Sequence, residues 1–158
     1  MKILFLHGLE SKPGGTKAKF LEKAGHTVFN PFLPKHSLEE SIAIAQRVVE
    51  KESPDIVVGS SRGGAIATTI DTKGARLILI APAWKLYGVM PLIDSNTTVL
   101  HCLKDDTVPF EHTVELASKA NITVELASKA NITIIECGTC HRMSDELALK
   151  ALLDAVQV

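Results

Sequence analysis

Apolar and polar positions along the chain fall into short blocks of two alternating kinds. Lys2–Leu6 (K-I-L-F-L), Asp55–Gly59 (D-I-V-V-G), Ala75–Ile80, Thr97–Leu103 and Ile132–Glu136 are compact runs rich in Leu, Ile and Val. Such near-continuous apolar runs suit strands buried on both faces. Thr27–Asn30 is a weaker strand, and Pro31 and Pro34 fence the loop after it. The segments between carry helix signals. A Gly/Pro loop leads into a helix near Thr16–Ala24. Ser37-Leu-Glu-Glu40 is a capping box that opens a helix running to about Glu52, with Leu38, Ile42, Ala45 and Val49 on one face. Arg62–Thr69 is a further helix, and Ser144 is expected to cap a final amphipathic helix ending near Val156.

About six strands separated by helices specify an α/β, doubly wound, mainly parallel sheet with helices on both faces. The expected organisation is a single domain over residues 1–158. In such sheets ligands bind beyond the carboxyl ends of the strands. The residues that follow each strand are therefore the ones to inspect.

Composition narrows the function classes. Hydrophobic residues make up 46% and charged residues 22%, as in an ordinary globular protein, and the formal net charge of -1 supplies no general pull toward nucleic acid or an anionic membrane. No run is apolar and long enough to span a bilayer. The apolar stretch after Lys2 is too short for the core of a signal peptide and reads as a strand. With three cysteines, an odd count, and no export signal, a reducing cytoplasm is the expected compartment.

Residues Thr113–Ile122 read T-V-E-L-A-S-K-A-N-I, and Thr123–Ile132 repeat them letter for letter. Ten residues advance a helix by about 1000°, roughly 80° short of three turns. One continuous helix would carry two misaligned apolar faces, so one copy is expected to dock while the other loops out or forms its own short helix. Either copy can dock, which makes exchange between two registers an expectation. Each copy ends in a glycosylation sequon with no secretory route to use it.

Cys137-Gly-Thr-Cys140-His141 admits several readings. The spacing matches covalent haem attachment, a dithiol redox site or half of a zinc site. Haem attachment belongs to exported proteins. Zinc would need further ligands, and the nearest, His101 and Cys102, are neighbours on a strand and face opposite ways. The remaining readings are the dithiol and one in which the cysteines are incidental and His141 is what matters.

The strand ends show why it matters. After the third strand comes Gly59-Ser-Ser-Arg-Gly63, a G-x-S-x-G pattern between a strand and a helix, the context of a nucleophile elbow at Ser61. Glycine is missing where a dinucleotide fingerprint would need it, and no segment fits a phosphate-binding P-loop. After the first strand comes His7-Gly8-Leu9, where a small-residue loop would supply an oxyanion N–H from Leu9 beside that of Arg62, a plain glycine turn being the alternative. His7 reads as loop support. After the fifth strand comes Lys104-Asp-Asp-Thr-Val-Pro109, and after the sixth comes His141. The order Ser61, Asp105, His141 suits nucleophile, acid and base. A serine hydroxyl needs a base near neutral pH, and a carboxylate fixes that base's tautomer.

These motifs resemble the α/β-hydrolase superfamily, and most of all its small, lidless bacterial esterases of the YqiA type. The likeness rests on His7-Gly-Leu-Glu-Ser-Lys-Pro-Gly14, Gly59-Ser-Ser-Arg-Gly-Gly64, Asp105-Asp-Thr-Val-Pro109 and the pair His141-Arg142. It implies a triad of Ser61, Asp105 and His141, oxyanion amides at Leu9 and Arg62, and the first aspartate, Asp105, as the acid in preference to Asp106. The chain departs from the pattern at the duplication, at His101-Cys102 where His-Gly is usual, and at Cys137 and Cys140.

No cap domain fits in a chain of this length, so an open cleft for small or short-acyl esters or thioesters is expected. Trp84, Leu86, Tyr87 and Met90 lie where a lid would be inserted and are candidate lining for an acyl pocket, with His7 a further candidate contact; plain loop packing is the alternative. No cofactor, metal, nucleic-acid or membrane partner is expected. A binding protein on the same fold without catalysis is the rival reading, and a flavodoxin-like nucleotide binder lacks its phosphate loop.

Overall fold

In a computed structural model the described residues are 1–94, 96–123 and 132–158. Eleven elements appear among them: β1 (Lys2–Leu6), α1 (Thr16–Lys23), β2 (Thr27–Phe29), α2 (Leu38–Glu52), β3 (Ile56–Ser60), α3 (Arg62–Ala67), β4 (Arg76–Ile80), β5 (Thr97–His101), α4 (Glu111–Thr123), β6 (Thr133–Glu136) and α5 (Glu146–Gln157). The strands form one six-stranded sheet in the order β2-β1-β3-β4-β5-β6, and every neighbouring pair is parallel.

Strand alternation divides the core in two. Ile3, Phe5, Ile56, Val58, Ile78 and Ile80 face one way and pack against Ala18 and Leu21 of α1 and Ala148, Leu152 and Val156 of α5. Leu4, Leu6, Val57, Leu77, Leu79 and Val99 face the other way, against Ala45 and Val49 of α2, Ile66 of α3 and Leu116 of α4. That double burial is why these strands read as unbroken apolar runs. The chain starts at β1, winds outward to β2, then crosses to β3 on the far side of β1. The strand order reverses there, which places the loops after β1 and β3 side by side at the carboxyl end of the sheet.

Local signals mostly act where expected. Ser37 caps α2, its hydroxyl accepting from the Glu40 amide at 3.0 Å. The cap of α5 is a correction. Asp145, not Ser144, occupies that position, and its carboxylate accepts from the Ala148 amide three residues on at 3.2 Å. The Ser144 hydroxyl donates instead to the carbonyl of Arg142. The fifth strand also stops at His101, because a turn from the Cys102 carbonyl to the Asp105 amide takes over. The first copy of the repeat lies in α4. Of the second copy only the end residues Thr123 and Ile132 are among the described ones, so the expected register exchange lies outside them. Among the described residues no cap domain covers the strand ends, and no helix is long and apolar enough to cross a membrane.

Candidate active site

The turn from β3 into α3 is where backbone sterics are most demanding. Ser61 has φ 52° and ψ -114°, a left-handed conformation that a residue with a side chain adopts only under constraint. Constraint is supplied at both ends of the residue. Its amide donates to the Ile80 carbonyl at 2.8 Å, and its carbonyl accepts from the amides of Gly64, Ala65 and Ala83. The flanking glycines are required by space. A Cβ on Gly59 would lie 2.5 Å from the Gly63 carbonyl oxygen, one on Gly63 would lie 2.0 Å from the Leu6 carbonyl oxygen, and one on Gly64 would meet Pro82 at 2.9 Å. The motif G-x-S-x-G-G is thus the sequence trace of a helix start pressed against two strands.

The turn after β5 brings up Asp105. Its Oδ1 accepts from the amides of Thr107 at 2.9 Å and Val108 at 2.8 Å. Its Oδ2 accepts from His141 Nδ1 at 2.8 Å. The side chain is wholly buried. Burial alone would raise the carboxyl pKa, but the Val108 amide, the His141 ring and the Thr107 amide outweigh it and hold the pKa below the ordinary value. Asp106, by contrast, is exposed and accepts only from the neighbouring Thr107 hydroxyl at 3.1 Å.

The loop after β6 supplies His141, whose Nε2 stands 2.9 Å from Ser61 Oγ. The result is one continuous series, Ser61–His141–Asp105, assembled from the ends of β3, β6 and β5. The His141 loop is anchored across the molecule by Lys17 of α1, whose ammonium donates to the Arg142 carbonyl at 2.5 Å.

The His7-Gly8-Leu9 turn lies against the elbow, since a Cβ on Gly8 would stand 3.5 Å from Ser61 Cβ. Arg62 is the first residue of α3, so its N–H has no acceptor within the helix. An oxyanion formed at Ser61 would meet the Arg62 amide at the helix start. The Arg62 side chain points away into the fold. Its Nη2 donates to the carbonyls of Pro34 and Ser37 and to the Ser41 hydroxyl, and its guanidinium lies 6.0 Å from the Tyr87 ring centre.

The other residues singled out by sequence are spread more widely. His7 is buried; its Nδ1 donates to the Gly8 carbonyl at 2.9 Å and its Nε2 accepts from the Leu33 amide at 3.4 Å, so the ring ties two loops together. Burial lowers its pKa, with the Arg62 and Lys35 charges acting in the same direction. Trp84 sits in the core and donates its indole N–H to the His112 carbonyl at 3.0 Å. Leu86 and Met90 stand exposed on the same loop. Cys137 packs against the core, and burial, followed by the nearby Asp145 and Cys102, pushes its thiol up to about 11. Cys140 is exposed, and no cluster of metal-ligating side chains occurs among the described residues.

One residue at the site was not anticipated in a role there. His101, at the end of β5, puts Nε2 3.1 Å from the same Asp105 Oδ2 that His141 uses. The available signal was its position four residues before the acid, at a strand end.

The fold has close counterparts among solved structures. A candidate hydrolase of the α/β superfamily from Xanthomonas campestris pv. campestris shares 21% identity at a TM-score of 0.66, over 99% of this chain and 98% of that one. An α/β serine hydrolase without a lid, also from Xanthomonas campestris, shares 17% identity at a TM-score of 0.67, over 99% and 80% of the two chains. Est1E from Butyrivibrio proteoclasticus, with ferulic acid bound, shares 13% identity at a TM-score of 0.72, over 99% and 86%. At these identities the likeness is one of fold, and the architecture is that of the α/β-hydrolase fold. No curated protein matches the chain in sequence. A family match does exist: it covers residues 2–117, from β1 into α4, includes Ser61 and Asp105 but stops before His141, and by it the chain belongs to the uncharacterised protein family UPF0227.

Proposed function

We propose that the protein is a serine hydrolase, a carboxylesterase or thioesterase that cleaves small or short-acyl esters through an acyl-enzyme. The observation that carries this reading is the unbroken hydrogen-bonded series from Ser61 Oγ through His141 to Asp105, at 2.9 and 2.8 Å, on a strained elbow. In the first half-reaction Ser61 Oγ bonds to the acyl carbon while its proton passes to His141 Nε2. The resulting imidazolium is stabilised by Asp105, which also holds the ring in the tautomer that leaves Nε2 free to accept. The carbonyl oxygen takes up negative charge against the amides of Leu9 and Arg62. The bond to the leaving alcohol or thiol then breaks, and His141 returns the proton to it. Water repeats the sequence in the second half-reaction and releases the carboxylic acid, restoring Ser61.

The open architecture supports this choice of substrate class. With no cap domain among the described residues, there is little to enclose a long acyl chain. The exposed Leu86 and Met90 on the loop after β4 offer apolar surface for a short one. Ferulic acid in the Est1E neighbour makes small aryl esters a sensible first panel.

Reduced protein treated with a fluorophosphonate is expected to carry a single adduct at Ser61, located by peptide mass spectrometry, and His141→Ala is expected to abolish it. Well-folded protein that stays unlabelled and turns over no ester would instead indicate a non-catalytic binding protein on the same fold.

A further inference from the structure

Asp105 is held by more than the histidine expected to use it. Its Oδ2 is shared between two imidazoles, His141 Nδ1 at 2.8 Å and His101 Nε2 at 3.1 Å. His101 is completely buried, with Phe110 tilted against its ring at 5.4 Å between centres. Every polar atom of that ring is occupied. Nε2 also lies 3.0 Å from the Val108 carbonyl, and Nδ1 lies 2.7 Å from the Thr113 hydroxyl.

These contacts decide where the ring proton sits. Nε2 faces a carboxylate and a carbonyl, both pure acceptors, so it must be the protonated nitrogen. In the neutral ring that complete burial favours, Nδ1 accepts from the Thr113 hydroxyl, which can turn to donate. We propose that His101 is a positioning residue, a neutral donor that locks the Asp105 carboxylate for His141 and is itself locked by Thr113. The inference rests on the hydrolase reading above and extends its series by two residues, to Ser61–His141–Asp105–His101–Thr113.

Neutrality is the point of using histidine here. A lysine or arginine against Oδ2 would also orient the carboxylate, but it would cancel the charge that must stabilise the His141 imidazolium. A neutral imidazole orients without cancelling. Burial lowers the His101 pKa against the pull of Asp105, in keeping with a ring that stays uncharged. Together with the amides of Thr107 and Val108, His101 gives the carboxylate three donors before His141 is counted. Its orientation therefore does not depend on where the mobile proton is during turnover, which is what preorganisation requires.

Three variants and one spectrum test this. His101→Leu removes the donor, His101→Gln places an amide N–H near the position of Nε2, and Thr113→Val removes the lock. With a short nitrophenyl ester and rates normalised to folded protein, His101→Leu is expected to lower kcat by about 10- to 100-fold with KM within about twofold. Thr113→Val should lower it by roughly 3- to 10-fold, and His101→Gln should recover most of the loss. Equal kcat in all three, or a change confined to KM or to the folded fraction, overturns the role. Histidine nitrogen NMR of the wild type provides a readout independent of activity. His101 should appear as the neutral Nε2–H tautomer at neutral pH and should gain its second proton only below the range of an ordinary imidazole. A His101 signal that titrates like a free imidazole, or the opposite tautomer, overturns the inference even if the protein is active. A wild type with neither turnover nor Ser61 labelling overturns the hydrolase reading, and this role with it.

Discussion

Ser61 keeps an unfavourable backbone only because its neighbours leave no alternative. Four backbone hydrogen bonds hold its amide and carbonyl, and Gly59, Gly63 and Gly64 permit the approach that makes those bonds possible. The three glycines differ in purpose from Gly8, where a Cβ would find ordinary contacts at 3.5 Å. Gly63→Ala drives a methyl group into the Leu6 carbonyl and is expected to cost about 3 kcal/mol or more. For a chain of this size that is a fall in Tm of about 10 °C. Gly8→Ala should stay within about 1 kcal/mol. Thermal melts followed by circular dichroism check both; equal Tm values would mean that the elbow relaxes at little cost. This part of the site was legible in the sequence, because close approach leaves glycines at fixed offsets. The choice of Asp105 over Asp106 comes from the resemblance, through the D-x-x-V-P pattern, since its place after a strand alone does not separate the two. The role of His101 was not legible, since it depends on Thr113, twelve residues away on α4. Nor was the buried course of the Arg62 side chain, because the same motif position tolerates apolar and charged residues alike in sequence logic.

At the scale of elements, α4 is the one to question. Thr113 supports His101, Leu116 enters the core and the carbonyl of His112 receives the Trp84 indole N–H. These contacts come from the first copy of the repeat or from residues just before it. Deletion of residues 123–132 would join Ile122 to Thr133 and regenerate the Asn-Ile-Thr junction that now precedes β6. The shortened chain should therefore melt within a few degrees of the full one and keep its reaction with fluorophosphonate. Loss of either would show that the second copy carries a function of its own. The repeat also marks where sequence reasoning stops. Periodicity locates a helix, but two identical copies give it no means of choosing which one docks. The α5 cap failed for a smaller reason: Ser144 and Asp145 are both good caps, and only the Ala148 amide decides between them.

For the whole molecule, two half-buried groups, Lys17 and Cys137, make stability depend on alkaline pH in opposite senses. Burial lowers the Lys17 ammonium from 10.5 to about 8, so the unfolded chain binds the proton more tightly. Its contribution is complete above the unfolded value and is lost as pH falls through about 8. Burial raises the Cys137 thiol from 9.0 to about 11, so here the folded chain binds the proton more tightly. That contribution is complete below the unfolded value and is lost as pH rises through about 11. Urea unfolding at stepped pH should show stability rising from about pH 8 to 9, levelling while the two oppose, then declining. Cys137→Ser should let the rise continue toward 10.5, and Lys17→Met should remove it. The sheet adds a consequence of its own. Ser61 follows β3, a strand flanked on both sides, whereas His141 follows β6, which is paired on one side only, with β5. Edge strands open more readily than flanked ones, so backbone hydrogen exchange is expected to be slower along β3 than along β6. Silencing and denaturation are then expected to separate: fraying at one border would end the proposed chemistry while Trp84, the single tryptophan, still reports an intact interior.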